Sequence, residues 1–503
     1  MGHYEFKTTP FEHQLKGFTE RRDFTEDAIF WEMGTGKSKL IIDQVAWNYA
    51  KGKINGLLVV APGGVHRNWV VNEIPFHLPD GIQYDAAIWQ NSAKKTKRHQ
   101  QAIDRACFSP HLGVFVMNYE AFATKDGRDA AWKFLRNRKA FHVLDESPRI
   151  KSPNAKRSRS IICSGRHSVM RRILTGTPIV NGPFDLYAQF KFLNEKFWAI
   201  HELNSFAVFK THFGIWVKEQ RRDGQSYETC VGYSHLDELN VISEDHSTRV
   251  LKEDVLDLPP KLYRKHYVEM SPNQKRLYKQ VSEETVVFLG LGMINAPLAI
   301  VRLLRLQQIL CGYVPVEGGE EPVATIDDKN VRIEALMEII AEAGDQKIII
   351  WARFRKDIEL IMERLAKDDL RAVSYYGATS GADRAEALAR FTGERVIMDD
   401  SRVVDREVVE AADQAQFFVA NQATAGEGLT LTCSNISIYY SNSYKLGERL
   451  QSEDRPHRIG QDSSVLYVDI VVPDSMDEKI INALRNKWDI ASQITGDELR
   501  AWL

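Results

Sequence analysis

Three short stretches carry residue types whose spacing suits phosphate chemistry. In 33-MGTGKSKL-40, Gly34, Thr35 and Gly36 stand directly before Lys37 and Ser38. Glycines there let the backbone turn tightly and aim N–H groups at phosphate oxygens. Lys37 can reach the β and γ phosphates, and the Ser38 hydroxyl suits Mg²⁺. The strict form of this pattern opens with Gly, where this chain has Trp31. The second stretch is the acidic pair Asp145–Glu146, which closes the apolar run 141-FHVLDE-146. Asp145 can hold a nucleotide-bound Mg²⁺ directly or through water. Glu146 is then free to orient and deprotonate an attacking water. The third is 451-QSEDRPHRIGQ-461, where Arg455 and Arg458 lie three residues apart. On a helix they would share a face, able to meet charge developing on a γ-phosphate. The competing reading is a helix salt-bridged through Glu453 and Asp454.

These residues need a scaffold that brings distant segments together. Short apolar, β-rich runs alternate with helical patterns at 27–32, 57–61, 113–118, 141–146 and 171–176. They recur at 347–352, 372–376, 416–420, 436–441 and 465–471. Continuous apolar strands separated by helices predict parallel sheets covered on both faces. Because the pattern occurs twice, the fold class is α/β with two tandem parallel-sheet lobes. Ligands sit beyond the carboxyl ends of such strands, so the GTGKS loop and the Asp145–Glu146 pair belong on one edge.

The expected division is 1–196 for lobe 1 and 197–258 for a helical, aromatic insertion and linker. Residues 259–328 form a helical lead-in, and 329–503 form lobe 2. The stretch 197–250 is aromatic and charged without strand alternation. Pro259–Pro260 suit a linker or an edge strand. An acidic insertion is expected at about 394–414, too acidic for a nucleic-acid-tracking surface.

Composition narrows the class. Of 503 residues, 44% are hydrophobic and 27% charged, as in ordinary globular proteins. No run approaches the roughly 18–20 apolar residues of a membrane span, and the polar N-terminus is unlike a secretory signal. Five scattered cysteines without a CxxC pair point to a reducing compartment and away from structural zinc. The net charge of −2 does not announce a nucleic-acid binder, but 94-KKTKR-98 and the run Arg149–Arg172 are strongly basic.

Read in order, 10-PFEHQLKG-17, 33-MGTGKS-38, 60-VAPGGVHRNW-69, 145-DESPRIKSP-153, 174-LTGTPIVNGPFDLYAQF-190, 423-ATAGEGLTLT-432 and 451-QSEDRPHRIGQ-461 resemble the motifs of superfamily 2 motor ATPases. The match is closest to the Swi/Snf branch of double-stranded DNA translocases, and 248-TRVLKEDVLDLPPK-261 also resembles that branch. The DES..IKSP wording with DLYAQF is most like small phage-borne members. The resemblance implies two RecA-like lobes, ATP with Mg²⁺, and duplex DNA gripped by its backbone. It also implies a monomer in a bacterial or phage-infected cytoplasm, with a separate protein partner for targeting.

Residue roles follow from the same resemblance. Gln14 would read adenine, and Gln451 would sense closure. Thr175 and Thr177 would couple nucleotide to nucleic acid. Pro62, Lys151, Thr424 and Gly428 fall in loops that resemble backbone-tracking segments. Arg455 and Arg458 match arginine-finger positions. Two positions depart from the pattern. Pro148 stands where much of the superfamily has His, so coupling would pass through Ser147 or Arg149. Thr430 stands where many members carry Asn. A strand-separating helicase and an ATP-holding scaffold that does not cycle are the rival readings.

Overall fold

The computed structural model describes the chain except residues 1–3, 64–65, 221–225, 291–295, 316–322, 400–401, 427–428, 496 and 498–503. Two large sheets organise it. The first has seven strands in the order Tyr84–Ile88, Leu112–Asn118, Gly56–Ala61, Ala140–Asp145, Met170–Leu174, Glu26–Trp31 and Ser247–Val250. Every pairing in it is parallel. The second has six strands in the order Lys261–Tyr267, Val465–Val471, Ile436–Tyr439, Ile348–Trp351, Phe417–Ala420 and Ala372–Tyr375, again all parallel.

Parallel strands need crossovers, and the crossover helices cover both faces. Along Gly56–Ala61, Leu58 and Val60 pack into one cluster while Leu57 and Val59 pack into another on the opposite face. Such a strand reads as an unbroken apolar run because neither face meets water. All ten anticipated strands are present, with ends differing by a residue or two.

The linking region differs from its sequence reading. Residues 214–220 and 226–233 form an antiparallel hairpin where the sequence shows no strand alternation. Most of the hairpin is exposed on both faces, so burial imposes no alternation on it. Ser247–Val250 adds a strand to the edge of the first sheet beside Glu26–Trp31. Lys261–Tyr267 forms the edge of the second, which agrees with the edge-strand reading of the Pro259–Pro260 region. The acidic insertion contains a second hairpin, with Glu394–Asp399 paired to Arg402–Val408. That second strand comes within 8 Å, Cα to Cα, of the turn Trp69–Glu73 in the first lobe.

The C-terminal helix Met476–Thr495 joins the lobes. Its first half packs Met476, Ile480 and Leu484 against Leu306, Leu310 and Leu446, while Ala491 and Ile494 enter the core of the first lobe. Beyond the helix, Asp497 accepts two hydrogen bonds from the Arg249 guanidinium, at 3.0 and 2.7 Å.

Candidate active site between the lobes

The strand order explains how the site is built. Glu26–Trp31 leads into the GTGKS turn, and Ala140–Asp145 delivers the acidic pair. Met170–Leu174 lies between them, so Thr175 emerges between the two loops. Gly34 and Gly36 both sit at φ +83°, a left-handed backbone open to glycine at little cost. Helix Lys37–Ala50 starts at once, with no acidic residue in its first turn to neutralise its positive end.

A cavity of about 480 Å³ lies here, with walls from both lobes. Gln14, Gly34, Gly36, Lys37, Ser38, Asp145 and Glu146 line it from the first lobe, and Gln451, Arg455 and Arg458 from the second. Thr35 does not line it. That residue is fully buried and braces the turn, its hydroxyl donating to the Glu32 carbonyl at 2.7 Å. Pro62 is buried and lines this same cavity. Lys151 and Thr424 lie outside its walls, and Gly428 lies outside the described residues.

Each charged group is held. The Lys37 ammonium donates to the carbonyls of Trp31 (2.9 Å) and Glu32 (3.1 Å). Burial lowers its pKa, against the pull of Glu146 and Asp145. Burial raises both carboxyls of the acidic pair, opposed at Asp145 by the Trp69 indole and at Glu146 by Lys37. Glu146 itself sits at φ +54°, a conformation costly for a residue with a side chain. Thr175 Oγ1 donates to Glu146 Oε2 at 3.2 Å and accepts from the Thr177 N–H at 3.0 Å. Gln14 accepts from the Phe11 N–H at 2.9 Å, and its amide reaches the Thr35 and Gly36 carbonyls at 3.3 Å each.

Helix Leu446–Glu453 ends before the two arginines, so a shared helical face does not align them. Backbone contacts position Arg455 instead. Its Nε donates to the Gln451 carbonyl and its Nη1 to the Leu429 carbonyl, both at 2.9 Å. Arg458 donates to Thr430 Oγ1 at 2.9 Å, so the threonine at the departing position keeps a polar contact. The salt bridges of Glu453 and Asp454 exist, but with Arg449, Lys252 and Lys261.

Pro148 occupies the first turn of the short helix Ser147–Ile150, a position that tolerates a missing N–H. Ser147, the residue before it, is fully buried. Its hydroxyl donates to Gln189 Oε1 at 2.6 Å, and Gln189 Nε2 donates to the Pro178 carbonyl at 2.8 Å. The Ser147–Gln189 bond thus joins the acidic-pair loop to the 174–190 motif, as the Thr175–Glu146 bond does, while the Gln189–Pro178 bond lies within that motif.

Sequence reasoning gave no role to Trp69 or Glu73, which both line the cavity. The Trp69 indole N–H donates to Asp145 Oδ2 at 2.9 Å. Glu73 follows one turn later on a π-helical segment, a rare backbone enriched at functional sites. Trp69 closes the quoted motif 60–69, and an amphipathic indole beside a site motif was the available signal.

The donor set fits Mg²⁺. Ser38 and Asp145 offer hard oxygen ligands on one cavity. Among the described residues no group of three or more His, Cys, Asp or Glu could hold a metal. Two protein ligands with substrate oxygens and water match the way Mg²⁺ is held in nucleotide sites.

Fold and cleft together define a two-lobed, helicase-like P-loop ATPase. The model of the SNF2-related domain matches residues 25–311, and that of the helicase conserved C-terminal domain matches residues 331–460. The chain belongs to the SNF2-related family. It is 24% identical over 483 residues to nuclear protein STH1/NPS1 of Saccharomyces cerevisiae, covering 92% of this chain and 33% of that protein. It is also 24% identical over 473 residues to the ISWI chromatin-remodeling complex ATPase ISW1 of the same yeast, covering 91% of this chain and 37% of the relative. The chain thus spans about a third of the length of these curated relatives. A solved Sulfolobus solfataricus SWI2/SNF2 ATPase core in complex with dsDNA matches with 22% identity and a TM-score of 0.41 over 99% of both chains.

Proposed function

We propose that this protein hydrolyses ATP to move along double-stranded DNA. The observation that carries the reading is the single cavity walled by Lys37, Ser38, Asp145 and Glu146 from one lobe and Arg455 and Arg458 from the other. Such a site is complete only while the lobes are together.

Lys37, the glycine-turn amides and the helix start receive the β and γ phosphates. Gln14 Oε1 keeps a second lone pair for the adenine amino group. Ser38 and Asp145 would hold Mg²⁺, which would supply positive charge to neutralise the phosphate oxygens. Glu146, held by Thr175, takes the proton of the attacking water. Arg455 and Arg458 stabilise charge on the departing phosphoryl group. Losing that group removes their reason to stay, and the lobes separate.

DNA as the track is supported by family membership and by the basic residues that follow the acidic pair. Lys151 and Thr424, one on each lobe, are proposed backbone contacts. Phosphate contacts carry no base code, so binding should be sequence-independent and weaken steeply with salt.

The test is an ATP-turnover panel with duplex DNA, single-stranded DNA and RNA. Strong stimulation by duplex is expected, and preferential stimulation by RNA refutes the track. Displacing a third strand without opening the duplex supports translocation, whereas strand separation supports a helicase.

A further inference from the structure

Lys252 lies in the linker between the two sheets and does not line the nucleotide cavity. It is nonetheless 94% buried by exposed area, at 6% exposure. Its ammonium donates to Asp454 Oδ1 at 2.5 Å and to the His457 carbonyl at 2.9 Å. Those residues immediately precede Arg455 and Arg458. Its backbone N–H donates to Glu32 Oε2 at 2.7 Å, satisfying an otherwise orphaned donor at the start of helix Lys252–Val255. Glu32 in turn carries one of the carbonyls that receive the Lys37 ammonium.

The stem of Lys252 is also placed. A Cβ built on Gly34 would meet Lys252 Cε at 3.7 Å and Arg458 Cβ at 3.8 Å. Lys252 Cε and Arg458 Cβ therefore both lie over the open side of Gly34. On the far side, Asp454 lies 3.8 Å from Lys261, and Glu453 is held by Arg449 and Lys261. That network fixes the 449–454 segment within its own lobe. Lys252 bonds the same segment to the glycine turn.

We infer that Lys252 is a positioning residue for the reaction: it registers Arg455 and Arg458 against the phosphate-binding turn when the lobes are together, by tying Glu32 to Asp454 and the His457 carbonyl. The inference rests on the proposed finger role of those arginines. It assigns Lys252 no contact with nucleotide. Its effect belongs on turnover, because the ground-state contacts to ATP come from Lys37, Ser38 and Gln14.

The test uses the full chain with saturating duplex DNA. Lys252→Met keeps the stem and removes the charge. It should lower kcat about 10- to 100-fold while the Kd for a fluorescent ATP analogue changes less than about threefold. Lys252→Arg should restore turnover to within about threefold of the parent chain. Asp454→Asn should lower kcat similarly, and the double variant Lys252→Met/Asp454→Asn should be no worse than either alone. Melting is followed in parallel, and kinetics are measured below each variant's transition. Parent-like kcat in Lys252→Met overturns the inference. So does an equal loss of ATP affinity, or full additivity with Asp454→Asn. If Lys252→Met does not fold, the arginine and Asp454 variants decide it: a parent-like Asp454→Asn refutes it. Arg458→Ala in the same assays separates the two readings. Normal turnover there removes the finger assignment, whatever Lys252 does.

Discussion

Gly34 and Gly36 share a φ of +83°, yet alanine should be far more damaging at one than at the other. At either position an L-side chain in left-handed backbone costs about 1–2 kcal/mol. At Gly34 the new methyl finds ordinary van der Waals contacts at 3.7 and 3.8 Å. At Gly36 it would lie 1.9 Å from Gln14 Nε2, so the carboxamide must leave. Departure sacrifices the 2.9 Å bond from the Phe11 N–H and the two longer ones to Thr35 and Gly36. One good bond and two weak ones are together worth about 1.5–2 kcal/mol. Because the free turn of each variant can relax out of the phosphate-binding shape and ATP must restore it, Gly34→Ala should weaken ATP binding by up to about tenfold, and Gly36→Ala by up to about 100-fold or more, at about 1.4 kcal/mol per decade. Gly36→Ala should also lose preference for ATP over GTP, since Gln14 no longer faces the base. The assay is titration with fluorescent ATP and GTP analogues in both glycine variants, with and without Gln14→Ala. In the Gln14→Ala background the excess penalty at Gly36 should vanish, because the obstructing group is gone. Equal losses at both glycines, or an excess that survives Gln14→Ala, would refute the steric reasoning.

Three further outcomes follow from the same geometry. Glu146→Gln keeps a partner for Thr175 but cannot accept a proton; turnover should fall at least about 100-fold with ATP still bound, as single-turnover kinetics and binding assays would report. Trp69→Phe removes the donor on Asp145, a bond to a charged group worth about 1.5–3 kcal/mol; the Mn²⁺ affinity of the nucleotide complex, read by electron paramagnetic resonance, should drop about tenfold or more. His142, on strand Ala140–Asp145 of the first sheet, is fully buried and burial lowers its pKa from 6.5 to about 3, so its neutral form is favoured by folding. That stability is complete above pH 6.5 and is lost as pH falls towards 3. It amounts to about 2 kcal/mol lost at pH 5, and urea unfolding at several pH values should show a smaller acid loss in His142→Gln.

Much of the molecule was legible in the chain itself. A strand buried on both faces must be apolar along its whole length, so runs such as Leu57–Ala61 and Ile348–Trp351 declare parallel sheets before any coordinates. Phosphate binding demands backbone freedom and a cation in adjacent positions, so the residues from Gly34 to Ser38 advertise themselves locally. The same locality exposed Asp145–Glu146 and the pair Arg455 and Arg458. The hairpin of 214–220 and 226–233 escaped because most of its residues are exposed, so no buried face forces alternation.

What tertiary structure alone decided are the contacts between residues far apart in sequence. Trp69 meets Asp145 across 76 positions, and Lys252 meets Asp454 across 202. No periodicity encodes such pairs, since their partners are chosen by strand order and by how the lobes meet. The same holds for Arg455 and Arg458. Their spacing suggested one helical face, but the helix ends at Glu453, and bonds to Gln451, Leu429 and Thr430 aim them instead. The chain specifies the candidate catalytic groups through local residue type, while their registration across the cleft comes from long-range packing.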